Sequence, residues 1–135
     1  MVTIRFCKIL IVDDTQLFRE KIKRILHDVK IGYKYYFAKG GKEAISQYIA
    51  HRPHATIMDI IMPNLDGVKA SEAIMKFDPN AKIIIISTKD NQETINAVIK
   101  NGLVKDYVFK PCDSSAILMA VSKVLSVKKK IKIVT

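Results

Sequence analysis

At 135 residues the chain has room for one domain but not two, and 49% hydrophobic residues are enough to give that domain a core. Charged residues make up 27%, and no apolar run approaches the roughly 20 residues of a membrane span, so a spanning protein is excluded and no membrane partner is expected. The net charge is +10, from 23 Lys and Arg against 13 Asp and Glu. The positives scatter over helix faces, apart from Lys128, Lys129, Lys130 and Lys132. With no interleaved aromatics and no basic helix-turn-helix, a nucleic-acid partner is disfavoured.

The chain starts with Met1 to Lys8, which carries Arg5 and Lys8 but lacks the apolar stretch of a signal peptide, so the cytoplasm is the expected address. Ile9 to Val12 is a continuous apolar run of strand length, which predicts a strand buried on both faces of a parallel sheet. Phe18, Ile22, Ile25, Leu26 and Val29 then recur at helical spacing, up to a stop at Gly32. Tyr33 to Ala38 is β-prone, and a Gly40-Gly41 turn follows. Ala44, Ile45, Tyr48 and Ile49 form a second helical stripe, ending near Pro53. Ala55 to Met58 is the third strand. After the breakers Pro63 and Gly67, a third helix carries Ala70, Ile74 and Phe77, closed by the turn Asp78-Pro79-Asn80. Ile83 to Ile86 is the most β-prone stretch and is expected at the centre of the sheet. Ile95, Val98 and Ile99 mark a fourth helix, with Asn101-Gly102 as its C-cap. Tyr107 to Phe109 is a fifth strand, and Ile117, Ala120, Val121, Val124 and Leu125 give the last helix. Residues 127–135 either lengthen that helix or fray.

Strand–helix alternation repeated five times predicts an α/β fold: a doubly wound, five-stranded parallel sheet with five helices. Such sheets bind ligands beyond the carboxyl ends of their strands. Asp13 and Asp14 follow strand one, Asp59 follows strand three, Ser87 and Thr88 follow strand four, and Lys110 and Pro111 follow strand five. The fold therefore gathers three carboxylates, hydroxyls and an ammonium at one edge. Two carboxylates about 4 Å apart repel by roughly 4 kcal/mol at an effective dielectric near 20, so something must offset them. Mg²⁺ is the natural candidate, because it takes carboxylate oxygens and accepts phosphate oxygens. A carboxylate beside it is a candidate nucleophile toward phosphorus, and a lysine and a hydroxyl nearby suit the phosphoryl oxygens. Each piece alone has an ordinary reading, such as a helix N-cap for Asp13-Asp14. Four strand ends with complementary chemistry do not. Cys7 and Cys112 lack metal-ligand spacing and are expected as buried reduced thiols. His54 is expected to be structural.

The segments Ile11 to Asp14, Met58 to Gly67, Ile86 to Thr88 and Tyr107 to Pro111 resemble the response-regulator receiver family over about residues 7–127. Phe18-Arg19 and Met75 to Lys82 add a likeness to its stand-alone chemotaxis members. The resemblance implies a flavodoxin-like, CheY-like receiver at 1–127, with 128–135 as a basic extension and no output domain. It implies Asp59 as phospho-acceptor. Asp14, Asp59 and the backbone carbonyl of Ile61 would hold Mg²⁺ directly, and Asp13 through a water. Ser87, Thr88 and Lys110 would bind the phosphoryl group, and Tyr107 would turn inward as a switch. The Lys110–Pro111 bond would be cis. The donor would be a CheA-like histidine kinase. The listener would be the motility motor, or an adaptor to it, on the face of the fourth helix, fifth strand and last helix.

The chain departs from the family pattern at several positions. Thr88 and Cys112 replace commoner residues, and Ile61 and Lys89 stand where dephosphorylation is tuned. Asp90, Asn91, Gln92 and Glu93 replace the lysines that motor-binding members carry, which favours an adaptor. The protein is expected to be no enzyme beyond its own phosphorylation and dephosphorylation. Three other readings compete with this one. A haloacid-dehalogenase-like phosphatase needs Asp-x-Asp-x-Thr where this chain has Asp13-Asp14-Thr15. A phosphorelay intermediate passing its phosphoryl group to a histidine phosphotransfer protein would have the same site. A pseudo-receiver is disfavoured by the complete acidic set.

Overall fold

The computed structural model describes residues 4–60, 67–88, 93, 96, 99–100, 106–110 and 113–134; for residues 88 and 126–134 it describes the backbone alone. A 3₁₀ turn, Ile4–Phe6, leads into β1 (Lys8–Val12), α1 (Gln16–Asp28), β2 (Lys34–Ala38), α2 (Gly41–His51) and β3 (Ala55–Asp59). Then come α3 (Gly67–Phe77), β4 (Ile83–Thr88), β5 (Asp106–Lys110) and α4 (Ser114–Val134). The five strands pair in parallel in the order β2-β1-β3-β4-β5. The doubly wound fold is thus the one expected. β3, rather than the isoleucine-rich β4, is the middle strand. The fourth predicted helix falls between β4 and β5, where Glu93, Asn96, Ile99 and Lys100 are helical. Its other marks, Ile95, Val98 and the Asn101-Gly102 cap, lie outside the described residues.

Alternation along the strands builds two cores, because successive side chains leave a strand on opposite faces. Leu10, Val12, Met58, Ile83 and Ile85 pack with Ala44 and Tyr48 of α2 and Ala70 and Ile74 of α3. Ile9, Ile11, Ile57, Ile84 and Ile86 pack with Ile22 and Leu26 of α1 and Ile117, Val121 and Val124 of α4. Each fully buried isoleucine or leucine stabilises the fold by about 2 kcal/mol before entropy is counted. Both faces of the interior strands are dry, which is why their sequences read as unbroken apolar runs.

Four residues of the expected helix stripes face out instead: Val29, Ile49, Phe77 and Ile99 are 51%, 47%, 42% and 38% exposed. The true stripes are Gly41-Ala44-Tyr48 on α2 and Gly67-Ala70-Ser71-Ile74 on α3. Gly41 is thus the first helical residue and not part of the preceding turn. α1 ends at Asp28, ahead of Gly32; the chain turns out of it through positive φ at Lys30 (61°) and Gly32 (81°). A Cβ on Gly32 would stand 3.0 Å from Ile9 Cδ1. α2 ends at His51 with Arg52 left-handed at φ 48°.

His54 is structural, as expected. Its Nδ1 accepts the Lys8 backbone N–H at 2.9 Å, and its own N–H donates to the Lys8 carbonyl at 2.8 Å, so one residue pins the starts of β1 and β3 together. Cys7 is buried, and burial pushes its thiol pKa up. Cys112 lies outside the described residues.

The buried Tyr48 hydroxyl donates to Asp78 Oδ2 at 2.7 Å, tying α2 to the end of α3. This bond, more than the competing desolvation, holds the Asp78 carboxyl below its ordinary 3.8, while burial first and then Asp78 push the Tyr48 phenol up. A depressed carboxyl contributes stability that is present above the unfolded value and lost as pH falls through the folded one. Tyr48→Phe is therefore expected to lower unfolding free energy by about 1–3 kcal/mol at pH 7. In urea titrations the difference should shrink as pH falls below the ordinary 3.8 and through the lowered value of Asp78 in the fold.

Candidate functional site

All parallel strands end at one edge of the sheet, and the register aligns their ends: Val12 opposite Met58, Asp59 opposite Ile86, and Thr88 opposite Lys110. Carboxylate oxygens of Asp13, Asp14 and Asp59 lie within 4.8 Å of one another. The Lys110 ammonium sits 3.1 Å from Asp13 Oδ2 and 3.2 Å from Asp59 Oδ2. Burial works against its charge. Asp59 and Asp13 outweigh that and hold the lysine above its ordinary value. The ion cluster therefore stays intact at neutral pH, and its contribution is lost only as pH rises through that raised value.

Asp13 is the most fixed member, at 2% exposure. Its Oδ1 accepts the Thr15 N–H at 2.9 Å, closing a turn just ahead of α1, whose N-cap residue is Thr15. Its carbonyl accepts from Arg19 Nη1 at 2.6 Å, and its N–H donates to the Ala38 carbonyl at 3.1 Å. Asp14 is exposed, and Asp59 lies between the two with a side chain 14% exposed. Phe18 adds a wall: its ring centroid is 4.4 Å from Lys110 Nζ, close enough for a cation–π contact.

Ser87 is buried at the end of β4, beside the residue paired with Asp59. Thr88 pairs through its backbone with Lys110, while its side chain lies outside the described residues. Tyr107 is apart from the acidic cluster, on edge strand β5, 38% exposed and edge-on to Phe109 at 5.2 Å. The Ile61 carbonyl, Lys89, residues 90–92 and Pro111 lie outside the described residues.

Three carboxylates supply hard oxygen donors, and Lys110 cancels one of their three charges. The two that remain match a divalent cation, so Asp13, Asp14 and Asp59 fit Mg²⁺. The same carboxylate that neighbours the ion position, Asp59, is accessible from solvent. The arrangement suits a nucleophilic carboxylate whose product gains negative charge beside an ammonium.

Three contributors escaped the sequence reading. Phe18 registered only as a core position and a family likeness, and Arg19 only as its neighbour. Gly67 read as a helix breaker, yet it is there for close approach. Its N–H donates to the Ile60 carbonyl at 2.6 Å. A Cβ there would collide with the Asp59 carbonyl oxygen and stand 2.6 Å from Ile60 Cα. Both obstacles are backbone, so the strand bearing Asp59 would have to move. Gly67→Ala is expected to cost about 1–3 kcal/mol in chemical denaturation and to shift the Asp59 amide resonance; wild-type values for both would show that the contact is relaxed elsewhere.

Residues 9–122 match the family described as the response regulator receiver domain. The chemotaxis protein CheY of Thermotoga maritima is 40% identical over 118 residues, covering 87% of this chain and 96% of that protein. Among solved structures, the CheX–CheY–BeF₃–Mg complex from Borrelia burgdorferi matches with a TM-score of 0.80 at 29% identity, over 87% of this chain and 88% of that one. A CheY-like receiver domain from Methanospirillum hungatei matches with a TM-score of 0.84 over 93% and 98% of the two chains; at 24% identity it speaks for the fold alone. With its parallel sheet, its acidic edge and this extent of likeness, the chain belongs to the response regulator receiver family and is a CheY-like receiver domain.

Proposed function

We propose that the protein acts as a response regulator whose receiver domain accepts a phosphoryl group on Asp59 from a histidine kinase of the CheA type. The observation that carries this reading is the placement of Lys110 between Asp13 and Asp59, on an edge where a third carboxylate, Asp14, stands within 4.8 Å. An oxygen of Asp59 forms the new O–P bond as the P–N bond of the donor phosphohistidine breaks. The imidazole leaves with the bonding electron pair and takes up a proton. Asp14, Asp59 and the Ile61 carbonyl, with Asp13 through a water, are the groups that would hold Mg²⁺, which would supply charge neutralisation for the phosphoryl oxygens.

The chain's own residues do the rest. Asp13 is locked by Thr15 and Arg19, so it holds its position as charge arrives. Lys110 exchanges the Asp59 carboxylate for a phosphoryl oxygen, a contact that only the phosphorylated protein offers. Ser87, buried at the end of β4, donates to the same group. These contacts bias a two-state equilibrium toward the form in which Tyr107 turns inward from the surface. The catalysis is confined to the protein's own phosphorylation and dephosphorylation.

In this reading the listener belongs to the motility apparatus. The 40% identity to a chemotaxis protein supports this, and so does the Borrelia burgdorferi relative, a CheY in complex with CheX. The acidic Asp90 and Glu93, where motor-binding relatives carry lysines, favour an adaptor over the motor itself.

Incubation with acetyl phosphate and Mg²⁺ is expected to add one phosphoryl mass to the intact protein and none to Asp59→Asn. An adduct on Asp59→Asn, or none on the wild type, would overturn the assignment. Ser87→Ala and Tyr107→Ala are expected to keep most of the phosphorylation and to weaken phosphorylation-dependent capture of the partner.

A further inference from the structure

One aromatic ring at the acidic edge takes no part in the phosphoryl chemistry itself, yet it lies against the group on which that chemistry depends. Phe18 is the third residue of α1, half-buried and packed against the core that α1 and α4 share with the sheet. Its neighbour Leu17 is 77% exposed, so the first turn of α1 sends one large apolar side chain into solvent and the other toward the site. The Phe18 ring centroid lies 4.4 Å from Lys110 Nζ. The other cation–ring approaches among the described residues are longer: 5.0 Å for Arg52 over Phe77, and 5.9 Å for Lys23 over Tyr35 and over Phe37.

A lysine ammonium has three donors. Two reach Asp13 Oδ2 at 3.1 Å and Asp59 Oδ2 at 3.2 Å, and the Phe18 ring is the remaining group at the ammonium among the described residues. The Lys110 side chain is still 26% exposed and has a flexible stem, so without the ring, water and other rotamers compete for its charge. The ring belongs to the same stretch of chain as Asp13. Arg19, next to Phe18, donates from its guanidinium to the Asp13 carbonyl at 2.6 Å and from its backbone to the Thr15 carbonyl at 3.1 Å. Phe18 and Asp13 thus hold the ammonium from one short turn, whereas Asp59 stands on another strand. Phosphorylation changes Asp59 alone. When its carboxylate oxygen bonds phosphorus, Lys110 loses that partner, and Asp13 and the ring keep the ammonium where the new phosphoryl oxygens arrive. An aliphatic side chain of similar size would fill the space but offer no negative face.

We infer that Phe18 is a positioning residue for phosphoryl transfer: the face of its ring holds Lys110 ready beside Asp59 and so speeds uptake of the phosphoryl group. The inference rests on the reading of Asp59 as phospho-acceptor and deepens it. Phe18 acts through the lysine alone. If it were only a core residue, any apolar side chain of similar size would serve, and the two cases differ in what an aromatic replacement restores.

The test compares Phe18→Leu and Phe18→Met, which keep apolar bulk without a ring, with Phe18→Tyr, which keeps the ring face. In the unphosphorylated protein the Lys110 Cε protons, identified by their loss in Lys110→Arg, are expected to be shifted upfield by the ring in the wild type and in Phe18→Tyr. In Phe18→Leu and Phe18→Met they should return to ordinary lysine positions. Uptake from acetyl phosphate and Mg²⁺ is then timed; here an Asp59 oxygen bonds phosphorus as acetate leaves with the electron pair of the broken P–O bond. The rate is expected to fall about two- to fivefold in Phe18→Leu and Phe18→Met and to match the wild type in Phe18→Tyr. An unshifted Lys110 signal in the wild type, wild-type rates in Phe18→Leu and Phe18→Met, or a Phe18→Tyr rate as slow as theirs would overturn the inference and leave Asp59 as the acceptor. No uptake by the wild type would overturn both.

Discussion

The site depends on one ammonium held between two carboxylates. Lys110 closes β5, Asp59 closes β3 and Asp13 follows β1, so a single side chain joins strands that are not neighbours in the sheet. Without that positive charge, three carboxylates within 4.8 Å would repel and the edge would open. With it, the residual charge is what a divalent cation neutralises, and the lysine is in reach of any group that arrives on Asp59. The Phe18 ring limits where the ammonium goes, and Gly67 lets α3 approach the backbone of Asp59 closely.

The rest of the fold holds these strand ends in register. The two cores press the sheet from both faces, and the continuous isoleucine run of β4 is buried on both. His54 fixes the opposite ends of β1 and β3, and the Tyr48–Asp78 bond fixes α2 against α3. A frame of this kind holds the strand ends in place while leaving the charge at the site edge open to change. Tyr107 is exposed on the edge strand β5, away from the acidic cluster.

The strands and the acidic set were legible because parallel strands buried on both faces leave unbroken apolar runs, and because carboxylates after such runs have few other reasons to cluster. Ile9 to Val12, followed by Asp13 and Asp14, carries both signals in one segment. Helix faces were less legible. Ile49 and Phe77 read as core by hydrophobicity and spacing, but Gly41, Ala44 and Ala70 let α2 and α3 approach the sheet closely and leave the larger residues outside. Phe18 contributes through a contact to Lys110, far along the chain, and Arg19 and Gly67 through bonds to the backbone carbonyls of Asp13 and Ile60. No local pattern marks such contacts.

The central claim is that Asp13, Asp14 and Asp59 form one divalent-ion site with Lys110 as its resident charge. Calorimetric titration with Mg²⁺ tests it directly, together with the Lys110 side-chain resonance in the same samples. The account predicts one saturable ion per chain, a Lys110 signal that shifts on binding, and loss of both in Asp14→Asn. Absence of saturable binding, or full binding in Asp14→Asn, would contradict it.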